Sequence, residues 1–250
     1  MKNSCLLFFM AVMALLMPSC SEEIVNEGSP RSLAPVASSA TFSFDSIVAP
    51  NVWGQYQSLE EMLAACQVPA EKLRLMSTEE LIEVCLSHPL YGIYSAYNNE
   101  LEGAKVVISR FNGFAELNKR KDAPEKMLAF YADVNLNPET AITHRKDFSK
   151  NRYLGFVDLY VASKKLEGLY FGQNLKELFE LSNRVLEKRL KQSPNNLSQI
   201  RRSLLICSQV KLAEGLLSAD DKQTLKSFVE VGGNVEEIQS YSKVSYIVSK

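Results

Sequence analysis

The sequence is poor in catalytic parts. It holds two histidines, His88 and His144, in 250 residues. No His-Glu-x-x-His occurs, which excludes a zinc hydrolase of that type. No Cys-x-x-Cys occurs, so neither a zinc ribbon nor a thioredoxin-like redox pair is indicated. A Gly-x-Ser-x-Gly elbow and a phosphate loop ending in Lys-Ser/Thr are missing too. No sign of charge dominates: 28 Lys and Arg stand against 29 Asp and Glu. Such a surface lacks the basic footprint of a nucleic-acid binder, so no nucleic acid is expected as partner. No cofactor and no metal are expected either. The longest uncharged apolar run, residues 5–17, is about thirteen residues, too short to span a bilayer as a helix.

That run is one of the chain's clearest signals. Lys2 precedes it, and Pro18 and Ser19 end it directly before Cys20. A short positive start, an apolar run and a small residue form a signal-peptide pattern. The stretch ending in Cys20 resembles the lipobox of bacterial lipoproteins, with Met17 where a leucine is usual. The resemblance implies cleavage before Cys20 and a lipid on its thiol. Two or three acyl chains would then hold the protein on a membrane, since each buried methylene contributes ~0.8 kcal/mol. Ser21, Glu22 and Glu23 follow at once and resemble the acidic export signal of lipoproteins from Bacteroidetes-type bacteria. That implies an outer-membrane address in the cell envelope, facing outward.

Residues 1–19 are therefore expected as signal peptide, 20–45 as lipidated cysteine and flexible tether, and 46–250 as one helical domain. The tether is rich in Ser, Pro, Ala and Gly and has no apolar period. As a coil it would span roughly 25–30 Å. Beyond Cys5 and Cys20 the chain has Cys66, Cys85 and Cys207. All three fall among apolar neighbours at helical spacing, where cysteine behaves as a small hydrophobe. Three free buried thiols are expected, with a Cys66–Cys85 bond as the alternative.

Helix signals run through the rest. Ser58 with Glu61, and Ser77 with Glu80, are capping-box pairs: the hydroxyl takes a free backbone N–H and the carboxylate reaches back. Leu59, Met62, Leu63 and Cys66 follow the first; Leu81, Ile82, Cys85 and Leu86 follow the second. Helices are also expected over 101–111, 114–120 and 152–166. Another starts after an Asp122 cap, with Pro124 and Glu125 in its first turn. The stretch from 135 to 150 reads mostly as loop. Residues 174–192 carry the cleanest amphipathic stripe, from Leu175, Leu178 and Phe179 to Val185, Leu186 and Leu190. Helices over 197–217 and from Ser218 close the series. The tail after 240 reads as strand or helix. No region alternates strand and helix, so the fold expected is all-α: about eight to ten short helices in one compact domain, with stacked helix pairs as a variant.

Few residues invite a chemical role. Cys85 and His88 lie three apart at a helix end and have the residue types of a thiol nucleophile. Cys85 also lies on the apolar stripe, where a thiol is inert. Tyr91, Tyr94 and Tyr97 recur every third residue and are candidate binding residues for a glycan or peptide; the same spacing suits a core. Asp133, Glu139, Asp147 and Asp158 are the acids from which a hydrolase would have to assemble a pair.

The segment "CLSHPLYGIYSAYNNELEG" with "ISRFNGFAELNKRKDAPEKML", within residues 85–128, resembles uncharacterised lipoproteins of Bacteroidetes-type bacteria. The resemblance implies an envelope address and carries no activity. The expectation is a lipid-anchored, non-catalytic binding or scaffold module of the cell envelope. It would meet the membrane through its anchor and an envelope protein or glycan through its domain. The alternative is an envelope hydrolase whose acid–base pair forms only in three dimensions.

Overall fold

The structure is a computed structural model, and it describes residues 42–141, 150–166, 170, 172–235 and 238–250. Every regular element among them is helical. Four short helices come first: α1 (Pro50–Trp53), α2 (Leu59–Ala65), α3 (Ala70–Leu75) and α4 (Thr78–Leu86). A 3-10 helix (Tyr91–Ala96) leads into α5 (Glu100–Arg110), α6 (Asn112–Leu117), α7 (Ala123–Leu136) and α8 (Pro138–Ala141). The long helices follow: α9 (Lys150–Leu166), α10 (Gln173–Gln192) and α11 (Leu197–Glu214). The chain closes with α12 (Ala219–Glu230) and α13 (Ile238–Ser249).

Local chemistry sets the boundaries. Ser77 accepts from the Glu80 N–H at 3.1 Å, and the Glu80 carboxylate accepts from the Ser77 N–H at 2.8 Å, a complete capping box. Ser58 accepts from Glu61 N–H at 3.2 Å, but the Glu61 carboxylate takes the Gln57 N–H instead. Ser218 caps α12 through Asp221. Gly215 ends α11 at φ +76°, a left-handed position that glycine fills without strain.

Asp122 corrects an expectation. It precedes α7, yet its side chain makes no cap hydrogen bond, and its backbone is not extended. Its carboxylate instead accepts from the Thr78 hydroxyl at 2.9 Å, tying the start of α7 to α4. The stretch read as loop from residue 135 begins inside α7, which runs to Leu136 and buries Asn135. The tail is helix: Val244, Ile247 and Val248 share an inward face at helical spacing and are buried.

Packing centres on α9 and α11. Both have buried residues nearly all round, so neither is amphipathic; a helix sheathed on every side has no face to give to water. Gln199 meets Asn151 and Arg202 meets Asp158, so α9 and α11 run parallel. α10 lies antiparallel to α11, with Arg189 against Ser203 and Ser182 against Cys207. Around this centre, α4, α5 and α7 pack on α9, while α12 and α13 pack on α11.

Side chains finish the helix ends. Lys188 donates to the carbonyls of Asn135 and Leu136 at the end of α7. Arg120 does the same for α3, donating to Leu73 and Met76. The Asn112 amide brackets the Val68 backbone, accepting from its N–H at 3.0 Å and donating to its carbonyl at 2.7 Å. Among the described residues no helix is long and apolar enough to cross a membrane.

Candidate functional site

The most charged place inside the molecule is the α9–α10–α11 junction. Asp158, in mid-α9, has no exposed surface. An isolated carboxylate there would be prohibitively unfavourable, so it must be paired. Arg189 of α10 grips it with both terminal nitrogens, at 2.9 and 3.1 Å. The same guanidinium donates to the Gln199 carbonyl at 2.9 Å, the Ser203 hydroxyl at 2.8 Å and the Asn135 side-chain oxygen. Arg202 places its Nε 3.5 Å from the Asp158 carboxylate and donates to Glu100 at 3.1 Å. Arg201 pairs with the same Glu100. Two carboxylates thus face three guanidiniums, and the set joins α5, α7, α9, α10 and α11.

Burial alone would pull the Arg189 guanidinium down. The Asp158 charge, with Tyr131 and the direct hydrogen bonds, outweighs it and holds the group above its usual value. Tyr94 donates to the Arg152 carbonyl at 3.0 Å. Burial pushes its hydroxyl up to about 12, with Arg202 pulling down and Glu100 and Asp158 adding to the rise. A β-carbon on Gly155 would fall 2.2 Å from the Tyr94 hydroxyl oxygen, so this close approach needs glycine. Both Asp158 oxygens are taken and no solvent reaches them. The arrangement is a clamp, not an acid–base device.

The other candidate acids sit elsewhere. Asp133 is exposed near the end of α7 and accepts from the Asn137 amide at 3.3 Å. Glu139 is exposed and paired with Lys150, which holds its carboxyl below the usual range. Asp147 lies outside the described residues. One acid is fully buried and two are in solvent, so these three share no cleft. Of the neighbouring glutamates Glu60/Glu61 and Glu79/Glu80, Glu61 and Glu80 bond backbone N–H groups at helix starts, while Glu60 and Glu79 pair with Arg110 and Lys126.

The tyrosine row is corrected as a binding face. Tyr91 and Tyr94 are buried at 5% and 3% exposure, and only Tyr97 is open, at 40%. The segment folds as a 3-10 helix, in which every third side chain falls on one side, and that side packs on α5 and α9. Tyr91 stacks edge-on with Tyr153 and Phe156. Cys85 is wholly buried and burial pushes its thiol far up, so it is no nucleophile. His88 is equally buried and accepts from the Leu90 N–H through Nδ1 at 3.1 Å. Cys66, Cys85 and Cys207 are free thiols; no Cys66–Cys85 bond forms. Cys20, Ser21, Glu22 and Glu23 lie outside the described residues.

The arginines of the clamp were not legible as site residues. One signal was present: Arg189 falls four residues after Val185, on the apolar stripe of α10, where a cation needs a buried partner. Among the described residues no group of three His, Cys, Asp or Glu is placed to hold a metal. Comparison of the chain with protein-family models, curated proteins and solved structures gives no match.

Proposed function

We propose that this is a lipid-anchored protein of the cell envelope whose helical domain binds or scaffolds and does not catalyse. The anchor rests on the sequence: a signal-like leader, Cys20 where it stops, Ser21-Glu22-Glu23 beyond, and a polar tether. The domain's role rests on one observation. Its most enclosed carboxylate, Asp158, is locked by Arg189, and its Cys85 and His88 are sealed from water. These groups support the fold and are out of reach of a substrate. A partner meeting the outer surface, an envelope protein or a glycan, fits that arrangement.

Two measurements test the reading. Palmitate labelling of producing cells should mark the protein and be lost in Cys20→Ala. Protease shaving of intact cells should digest the native protein and spare a Glu22→Ala/Glu23→Ala variant. Labelling that survives Cys20→Ala would remove the anchor from the proposal. Protection of both proteins in sealed cells would move the partner to the periplasm. Hydrolysis of an envelope polymer by the purified protein would restore the hydrolase reading.

A further inference from the structure

The described chain begins with a short strap, residues 42–49, before α1. Phe44 lies within the stretch expected to be tether, yet it is buried at 8% exposure. Its ring packs edge-on against His88, centroids 5.5 Å apart, and 6.0 Å from Phe111; His88 itself is 4.7 Å from Phe111. Phe42 sits edge-on to Phe44 at 5.0 Å, under the Lys72 ammonium. The Phe44 carbonyl accepts from the Ile47 and Val48 N–H groups, both at 2.9 Å, which fixes the strap as a turn.

Three features mark His88 beneath it. It has no exposed surface, and its Nε2 is buried without a hydrogen-bond partner. It follows the C-terminal end of α4, where the helix dipole favours a cation. Next to it, Phe42, Met76, Glu79, Glu83, Val84 and Ser87 line a cleft of about 390 Å³. The setting is apolar with the strap down and suits an imidazolium with the strap up.

We propose that the strap is an acid-released latch: Phe44 closes over neutral His88, and a proton on His88 opens it. The latch lies where the tether joins the domain. The linkage sign is fixed. Burial lowers the closed-state imidazole from 6.5 to about 3, while the open imidazole titrates near its ordinary value. Protons therefore bind the open form, and opening grows as pH falls below 6.5. The ionisable groups around the site are Asp45 on the strap, Lys72 over Phe42, Glu79, Glu80 and Glu83 along the cleft, and Cys85 one turn back, which feels Lys164. No charge is a cause of the His88 shift, which comes from burial alone.

Hydrogen exchange of the full chain in detergent, read by mass spectrometry from pH 7.5 to 4.5, tests this. After correction for intrinsic rates, the Ile47 and Val48 amides should exchange about tenfold faster per pH unit below 6.5. Peptides from α9–α11, which open only on global unfolding, should stay far more protected than the strap at every pH. His88→Asn keeps an acceptor for Leu90 and cannot titrate, so its strap should lose the pH dependence. Phe44→Ala, with His88 retained, should exchange fast at the strap even at pH 7.5 while α9–α11 stay protected; this variant decides the matter if His88→Asn does not fold. Strap exchange that ignores pH, or that is no faster than exchange in α9–α11, overturns the latch. So does a Phe44→Ala strap as protected as the wild type.

Discussion

Two of the places where the described residues bury polar groups do so by opposite means. At the α9–α11 centre, Asp158, Arg189 and Arg202 are buried in ion pairs. In the N-terminal half, His88 is kept neutral among Phe44 and Phe111, with one hydrogen bond at Nδ1. The first solution is directional: it fixes the register of α9 on α10 and α11. The second is permissive, because neutrality needs only dryness. The centre should therefore be sensitive to mutation, and the histidine corner to pH.

The largest expected effect breaks the charged centre. Asp158→Ala removes the carboxylate that neutralises the buried Arg189 guanidinium and leaves it neutral acceptors only, while Arg202 keeps Glu100, which costs about 3–5 kcal/mol. Urea unfolding monitored by circular dichroism should show the midpoint collapse, or no folded protein. Arg189→Met should cost less than Asp158→Ala, because Asp158 keeps Arg202 at 3.5 Å. Equal losses would mean that Arg202 contributes nothing to holding the carboxylate.

A comparable break lies at the seam where α12 joins α13. Gly232 has φ +64°, and a β-carbon there would fall 2.1 Å from the Asn99 side-chain oxygen. Asn99 is itself the N-cap of α5. Gly232→Ala meets both backbone strain and that contact, so a loss above ~2 kcal/mol is expected by the same unfolding measurement.

The histidine corner gives a pH slope. His88 stays neutral in the folded chain down to about 3, while the unfolded chain takes up a proton below 6.5. Its contribution is whole above pH 6.5 and is lost as pH falls toward 3. One extra proton on the unfolded side removes about 1.4 kcal/mol per pH unit. The difference between wild type and His88→Asn, followed by urea titration from pH 7 to 5, isolates it. A constant difference across that range would show that His88 is hydrated in the native state.

How much of this the sequence disclosed depends on the range of the interaction. Ser58, Ser77 and Ser218 announced helix starts because a cap is made within three residues of itself. The stripe through Leu178, Val185 and Leu186 announced α10, although Leu190 at its end is left 42% exposed. Asp122 misled because two partners competed for its carboxylate, and the distant one, Thr78, prevailed. The tail stayed ambiguous because β-branched residues suit strands locally, and only packing on α11 decides. Arg189, Arg202 and Glu100 were illegible as a group: they lie on three helices, and the pair Glu100–Arg202 spans 102 positions. The tyrosine row was legible as a spacing, but spacing does not tell which side of the 3-10 helix meets α5 and α9.

The smallest expected effect sharpens the comparison at the level of single caps. α2 and α4 begin alike, with Ser and then Glu three residues on, but only α4 closes its box. Ser77→Ala removes the acceptor for Glu80 N–H and leaves the Glu80 carboxylate bonded to the residue 77 N–H, so about 1 kcal/mol should be lost. Ser58→Ala likewise removes one bond, at the start of an exposed helix whose single buried side chain is Leu63. Less of the fold depends on that helix, so its loss should be at the low end, about 0.5 kcal/mol. Denaturant midpoints of the two variants compare them directly. If Ser58→Ala proves the more harmful, the small N-terminal helices couple to the core more tightly than their burial implies, and the strap that precedes them would share in that coupling.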